Sequence, residues 1–130
     1  MRKKIVIDTG VFVNYFLKKN EKYRKAMSEI IASGSGLTLY LNITELYYIL
    51  GRLLDKESAS VAISLIKNSS IKIVNIDEKL SISAGDLKLS YDFLSIVDCY
   101  VIALAEGERA MIYTVDSSIE KVYKDTVVIK

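Results

Sequence analysis

The sequence predicts an α/β domain built on a parallel sheet, and three observations predict it. Short apolar runs alternate along the whole chain with longer stretches of helical apolar period. Parallel strands need helical crossovers, which are right-handed, so the alternation fits parallel pairing. No linker, repeat or low-complexity tract divides the 130 residues, so 1–130 reads as one domain. Pro is absent, and turns rest on Gly, Asn, Asp and Ser.

The elements follow in order. Residues 4–8 (KIVID) form a continuous apolar run closed by an acid, the pattern of a strand buried on both faces. Val11, Phe12, Tyr15 and Phe16 recur at helical spacing after Thr9, and a second helix runs from Glu21 to Ser33, stopped by Gly34-Ser35-Gly36. Leu37–Leu41 is the second strand. Asn42 and Glu45 have the spacing of an N-cap and its reciprocal acid, feeding Leu46, Ile49, Leu50, Leu53 and Leu54. Asp55 caps a helix through Lys67, Ile71–Ile76 is a strand, and Asp77 caps a helix to about Leu89. Ser95 and Asp98 open an apolar helix ended by Gly107 to Arg109. Met111–Val115 is the fourth strand, Ser117 begins a short helix, and Val127–Ile129 closes the sheet.

Composition narrows the chemistry. The chain has no histidine, which removes the Ser-His-Asp triad and every His-dependent zinc site, and one cysteine, which removes disulfide frameworks and multi-Cys zinc sites. Cys99, inside an apolar run, reads as core in a reducing compartment. Eighteen Lys and Arg against sixteen Asp and Glu leave +2, too little for a global field that captures nucleic acid, so an anionic partner must be held locally. Asp98 and Glu45 interrupt the two greasiest stretches, and the start at Arg2, Lys3 and Lys4 reaches Asp8 after three apolar residues. A membrane span and a secretory signal are therefore not expected, and the expected location is the cytoplasm.

The informative residues are acids placed where acids cost most. Asp8 closes the first strand and Asp116 the fourth, Glu45 lies at the start of the helix after the second, and Asp98 sits among Ile96, Val97, Cys99, Tyr100 and Val101. Ligands of parallel α/β sheets bind beyond the carboxyl ends of the strands. Each acid alone is explained by a helix cap or a turn. Together at one edge they would repel one another and take up protons unless a cation compensates. No Lys or Arg adjoins them in the strand-end segments, so a hard metal ion, Mg²⁺ or Mn²⁺, is the economical counter-charge, and its chemistry is phosphoester hydrolysis.

Four segments carry a family likeness: IVIDTGVFVNYF around Asp8, NITELYYIL around Glu45, LSIVDCYVIALA around Asp98 and IYTVDSSIEKV around Asp116. In that order they resemble the PIN-domain ribonucleases, and among them the VapC-like toxins of type II toxin–antitoxin pairs. The resemblance covers essentially the whole chain, and the 18-residue interval from Asp98 to Asp116 is typical of it. It implies a three-layer α/β/α fold with a central parallel sheet of four to five strands and a Mg²⁺- or Mn²⁺-dependent endoribonuclease site. Carried over by position, Asp8, Asp98 and Asp116 would hold the metal directly or through water, and Glu45 would orient or deprotonate the attacking water. Thr114, and less directly Thr9, would hydrogen-bond the acids or a phosphate. The sequence departs from the family at Ser118, where many relatives carry a further acid, which argues against a second metal, and at Gly10, often Ser or Asn.

The likeness also implies a VapB-like antitoxin partner and homodimers. Lys18, Lys19, Lys22, Arg24 and Lys25, with Tyr15 and Tyr23 nearby, offer phosphate contacts and stacking for RNA, and Tyr47 and Tyr48 follow Glu45; a solvated helix face and ordinary core tyrosines are the plainer alternatives. Two rival functions stand beside the toxin. One is a housekeeping RNA-processing nuclease of the same family. The other is a non-enzymatic interaction module, in concrete form a phosphoacceptor receiver domain, which would want an acidic pair after the first strand where Thr9-Gly10-Val11 follow Asp8, and a Lys after a late strand.

Overall fold

The computed structural model describes residues 3–18 and 20–130, which leaves Met1, Arg2 and Lys19 outside. Among the described residues the order is β1 (Ile5–Ile7), α1 (Thr9–Leu17), α2 (Glu21–Ser33), β2 (Gly36–Leu39), α3 (Tyr40–Leu53) and α4 (Lys56–Lys67). There follow β3 (Lys72–Val74), α5 (Glu78–Ser90), α6 (Ile96–Glu108), β4 (Met111–Thr114), α7 (Ser117–Val122) and β5 (Thr126–Val128). The five strands form one sheet in the order β3-β2-β1-β4-β5, and every pairing is parallel.

Side chains alternate across a strand, and the sequence places apolar groups at both positions. Val6 joins Leu37, Leu39 and Ile112 under α5, α6 and α7, whereas Ile7 packs with Val11, Phe12, Met27, Leu46 and Ile66 under α1 to α4. The sheet is thus the middle of three layers, with an apolar core on each side. Helix α1 leaves β1 toward one layer and α7 leaves β4 toward the other. β1 and β4 are neighbours, so the chain divides between them, and a crevice opens beyond their carboxyl ends. Asp8 is the first residue past the end of β1 and Asp116 the second past the end of β4.

Several boundaries shift for physical reasons. Asn42 is not an N-cap: β2 ends at Leu39, whose extended backbone caps α3, and the helix begins at Tyr40 with no intervening loop. Asn42 sits one turn in, where its Oδ1 accepts the Leu39 N–H at 3.3 Å. The early start of α3 also shortens β3, which pairs through Leu39↔Val74 and has no ladder partner beyond it. Strands β1 and β4 are likewise trimmed, and β5 is displaced by one residue to Thr126–Val128. Gly34 ends α2 in the left-handed region at φ 66°, as its lack of Cβ allows. Helix α6 runs through Gly107, and Arg109 makes the left-handed turn at φ 53°. The caps Asp55, Asp77 and Ser95 stand where the sequence puts them.

Candidate active site

Asp8 is the centre of the site. As N-cap of α1 it accepts the Thr9 N–H on Oδ1 at 2.9 Å. The β1–β4 register pairs Ile7 with Tyr113 and so brings Thr114 alongside, whose hydroxyl donates to Asp8 Oδ2 at 2.7 Å and accepts the Asp116 N–H at 3.0 Å. Asp8 is only 7% exposed and Thr114 is fully buried. Burial is the largest influence on Asp8 and pushes its pKa up to about 6; the bonds from Thr114 and Thr9 oppose the rise, and the charges of Asp98 and Glu45 add to it.

Glu45, in the second turn of α3, faces the start of α1 and accepts the Thr9 hydroxyl on Oε1 at 2.6 Å. Asn42, one turn earlier and fully buried, donates from Nδ2 to Thr9 Oγ1 at 2.9 Å and lies 3.5 Å from Asp8 Oδ1. Asp98 and Ser95 form the capping box that opens α6, with Asp98 Oδ2 accepting the Ser95 N–H at 3.2 Å and Ser95 Oγ accepting the Asp98 N–H at 3.0 Å. Burial raises the Asp98 pKa, the Ser95 bonds oppose that, and the Asp116 charge adds to it. Asp116 caps α7 and accepts on Oδ1 both the Ser118 N–H at 2.9 Å and the Ser118 hydroxyl at 2.5 Å. Ser118 thus stands as a donor to the acid where a further acid was the family alternative.

Each acid therefore does tie down a helix end or a neighbouring hydroxyl, yet their charges reach one another in sequence: Glu45 to Asp8, Asp8 to Asp98, Asp98 to Asp116. Among the described residues the ion pairs are Lys3–Asp125, Lys4–Glu108, Arg24–Glu21 and Lys88–Asp92, and none involves these four acids. Glu45 Oε2, Asp98 Oδ1 and Asp116 Oδ2 take no hydrogen bond from the described residues. The donor set is all oxygen, anionic and, among the described residues, without a paired cation, which fits a hard divalent ion. Among the described residues no three acidic or thiol side chains are arranged to enclose an ion by themselves. An ion held there would have to complete its shell with water, as Mg²⁺ does when it takes one or two carboxylates directly.

The other candidate residues divide. Lys18, Lys22, Arg24 and Lys25 are exposed, and Lys22 Nζ donates to the Lys130 carbonyl at 2.8 Å, just past the carboxyl end of β5, so this basic face reaches the same sheet edge as the acids. Lys19 lies outside the described residues. Tyr23 is not available for stacking, because it is buried and its hydroxyl accepts Asn14 Nδ2 at 3.0 Å. Tyr47 packs against the core, while Tyr48 is exposed beneath the Arg52 guanidinium, 5.8 Å from its ring centre. Gly10 has a local reason: a Cβ there would lie 2.4 Å from Val115 Cγ2. Asn42 is the residue that sequence reading missed as part of the site, although its three-residue spacing from Glu45 marked it as a capping group.

Comparison with known proteins follows the same lines. The family model described as "PIN domain" matches residues 5–125. No curated protein matches the chain by sequence. Among solved structures, DNA-bound VapBC from Salmonella typhimurium superposes with a TM-score of 0.79 at 14% identity, covering 98% of both chains. A toxin–antitoxin complex from Klebsiella pneumoniae gives 0.76 at 15%, covering 96% of this chain and 97% of that one. The sarcin-ricin loop cleaving toxin VapC20 of Mycobacterium tuberculosis gives 0.75 at 15%, covering 92% and 95%.

Proposed function

The chain belongs to the PIN-domain family, and from that premise we propose that it is a metal-dependent endoribonuclease acting as the toxin of a toxin–antitoxin pair. The observation that carries the reading is Asp8, a buried carboxylate at the topological switch point, its pKa raised by burial and two neighbouring acids, with no ion pair to it among the described residues. Asp8, Asp98 and Asp116 would hold Mg²⁺ or Mn²⁺, directly or through water. Such an ion supplies Lewis-acid polarisation of a phosphoryl oxygen.

The chain's own groups do the rest. Glu45 has one oxygen held by Thr9 and the other without a hydrogen bond from the described residues, so it would orient a water and take its proton as the new P–O bond forms, while the ester P–O bond breaks and the leaving oxygen takes a proton from solvent. Thr114 fixes Asp8 and, through the Asp116 backbone, the start of α7. Lys22, Lys25, Lys18 and Arg24 would meet RNA phosphates, with Lys19 between them in sequence. A VapB-like antitoxin and a second copy of the chain are the proposed protein partners; support for the antitoxin comes from the VapBC and toxin–antitoxin complexes that share the fold. Among the described residues no helix is long and apolar enough to cross a membrane, and the proposed location is the cytoplasm.

The test compares the purified protein with its Asp8→Asn variant on total cellular RNA, with Mg²⁺, Mn²⁺ or a chelator. Cleavage by the unsubstituted protein alone, lost on chelation, is expected. Equal cleavage by both proteins, or cleavage that survives the chelator, would overturn the assignment.

A further inference from the structure

Asn42 makes bonds that a helix cap does not need. The Leu39 N–H points at one end of its amide at 3.3 Å, so that end is Oδ1 and the NH₂ faces the other way. There Nδ2 donates to Thr9 Oγ1 at 2.9 Å. A hydroxyl has a single proton, and with a lone pair already occupied by Asn42 the Thr9 proton is directed to Glu45 Oε1 at 2.6 Å. Every donor in the series Leu39, Asn42, Thr9 is committed in one direction, and the series ends on a carboxylate. Asn42 is fully buried and Thr9 is 5% exposed, so solvent does not compete with these bonds. Capping would be satisfied by any acceptor at position 42. The donating half of the amide goes beyond capping: its short bond is to Thr9 Oγ1, and its second, longer one, at 3.5 Å, is to Asp8 Oδ1.

From this geometry we infer that Asn42 and Thr9 are positioning residues, a one-way donor relay that holds Glu45 by Oε1 and presents Oε2 to the attacking water. The inference rests on the nuclease reading for its purpose, but the relay itself is a statement about hydrogen bonds. It also ties α3 to the start of α1, so Glu45 is held in place relative to Asp8 by side chains of both helices.

Two readouts test it on the full chain. In cleavage kinetics, Thr9→Val should lower kcat by about 100-fold, the scale of a misplaced catalytic group, with KM for RNA and the half-saturating Mg²⁺ concentration unchanged. Thr9→Ser, which keeps the hydroxyl, should restore kcat. Asn42→Ala should lower kcat, and the Thr9→Val/Asn42→Ala double variant should lose no more than the worse single one, because both break the same series. In ¹⁵N-labelled protein the Asn42 side-chain amide signals should move on Thr9→Val and on Glu45→Gln. Equal loss in Thr9→Ser and Thr9→Val, multiplying losses in the double variant, or an Asn42 amide indifferent to Glu45→Gln would overturn the relay. An unsubstituted protein that cleaves no RNA would count against the nuclease reading instead, and the amide signals would still decide the relay.

Discussion

Asp8 is a residue whose ionised form works against the fold that holds it. Its pKa rises from 3.8 to about 6, chiefly because burial penalises the charge. Between about pH 4 and 6 the folded chain keeps a proton that the unfolded chain has lost, so this group's contribution to stability falls as pH rises through that window. Above it the full cost applies, about 3 kcal/mol at 1.36 kcal/mol per pKa unit. Asp8→Asn should therefore raise the melting temperature of the metal-free protein at pH 7 to 8, with the two curves converging toward pH 4; a variant that melts lower at pH 8 would refute the strain. Thr114→Val leaves Asp8 Oδ2 and the Asp116 N–H without their partner in a buried setting. It should cost about 1 to 3 kcal/mol in denaturant unfolding and abolish cleavage.

Among the elements, the junctions between strands and helices decide what is near what. Strand β2 passes into α3 without a loop, and that direct turn brings Asn42 to Thr9 and Glu45 to the start of α1. The helix ends at Asp55, Asp77, Ser95 and Asp116 were legible because a capping side chain acts on its own neighbours, within three residues. Asn42 was misread for the same reason: a capping amide looks alike at the cap and one turn inside, and only the length of β2 tells them apart. The buried bond from Thr114 to Asp8 spans 106 residues of sequence, and no local pattern could locate it; the family likeness supplied the position. Gly10 shows the converse. A Ser at this position would press on Val115, so Gly10→Ser should cost about 1 kcal/mol in thermal unfolding, and Val115→Ala in the same chain should recover it. No recovery would mean that the glycine serves another purpose.

For the molecule as a whole, the parallel sheet was legible because apolar residues occupy both faces of the central strand β1, which only a sandwich between helices can bury. The strand order was not legible from periodicity, since β1 and β4 are separated by about a hundred residues and meet only in the fold. That meeting makes the crevice and gathers acids from four segments toward one edge, with the basic face of α2 reaching the same edge at Lys130. A site of this kind is a stability liability that an ion would relieve, and binding to the native state alone should raise the melting temperature with ion concentration. The most direct measurement is calorimetric titration of the protein with Mg²⁺ and Mn²⁺ near pH 6. Saturable uptake with release of a proton, lost in Asp8→Asn, is the predicted result. Absence of uptake of either ion, or the same uptake by Asp8→Asn, would contradict the claim that a divalent cation is what these carboxylates are assembled to hold.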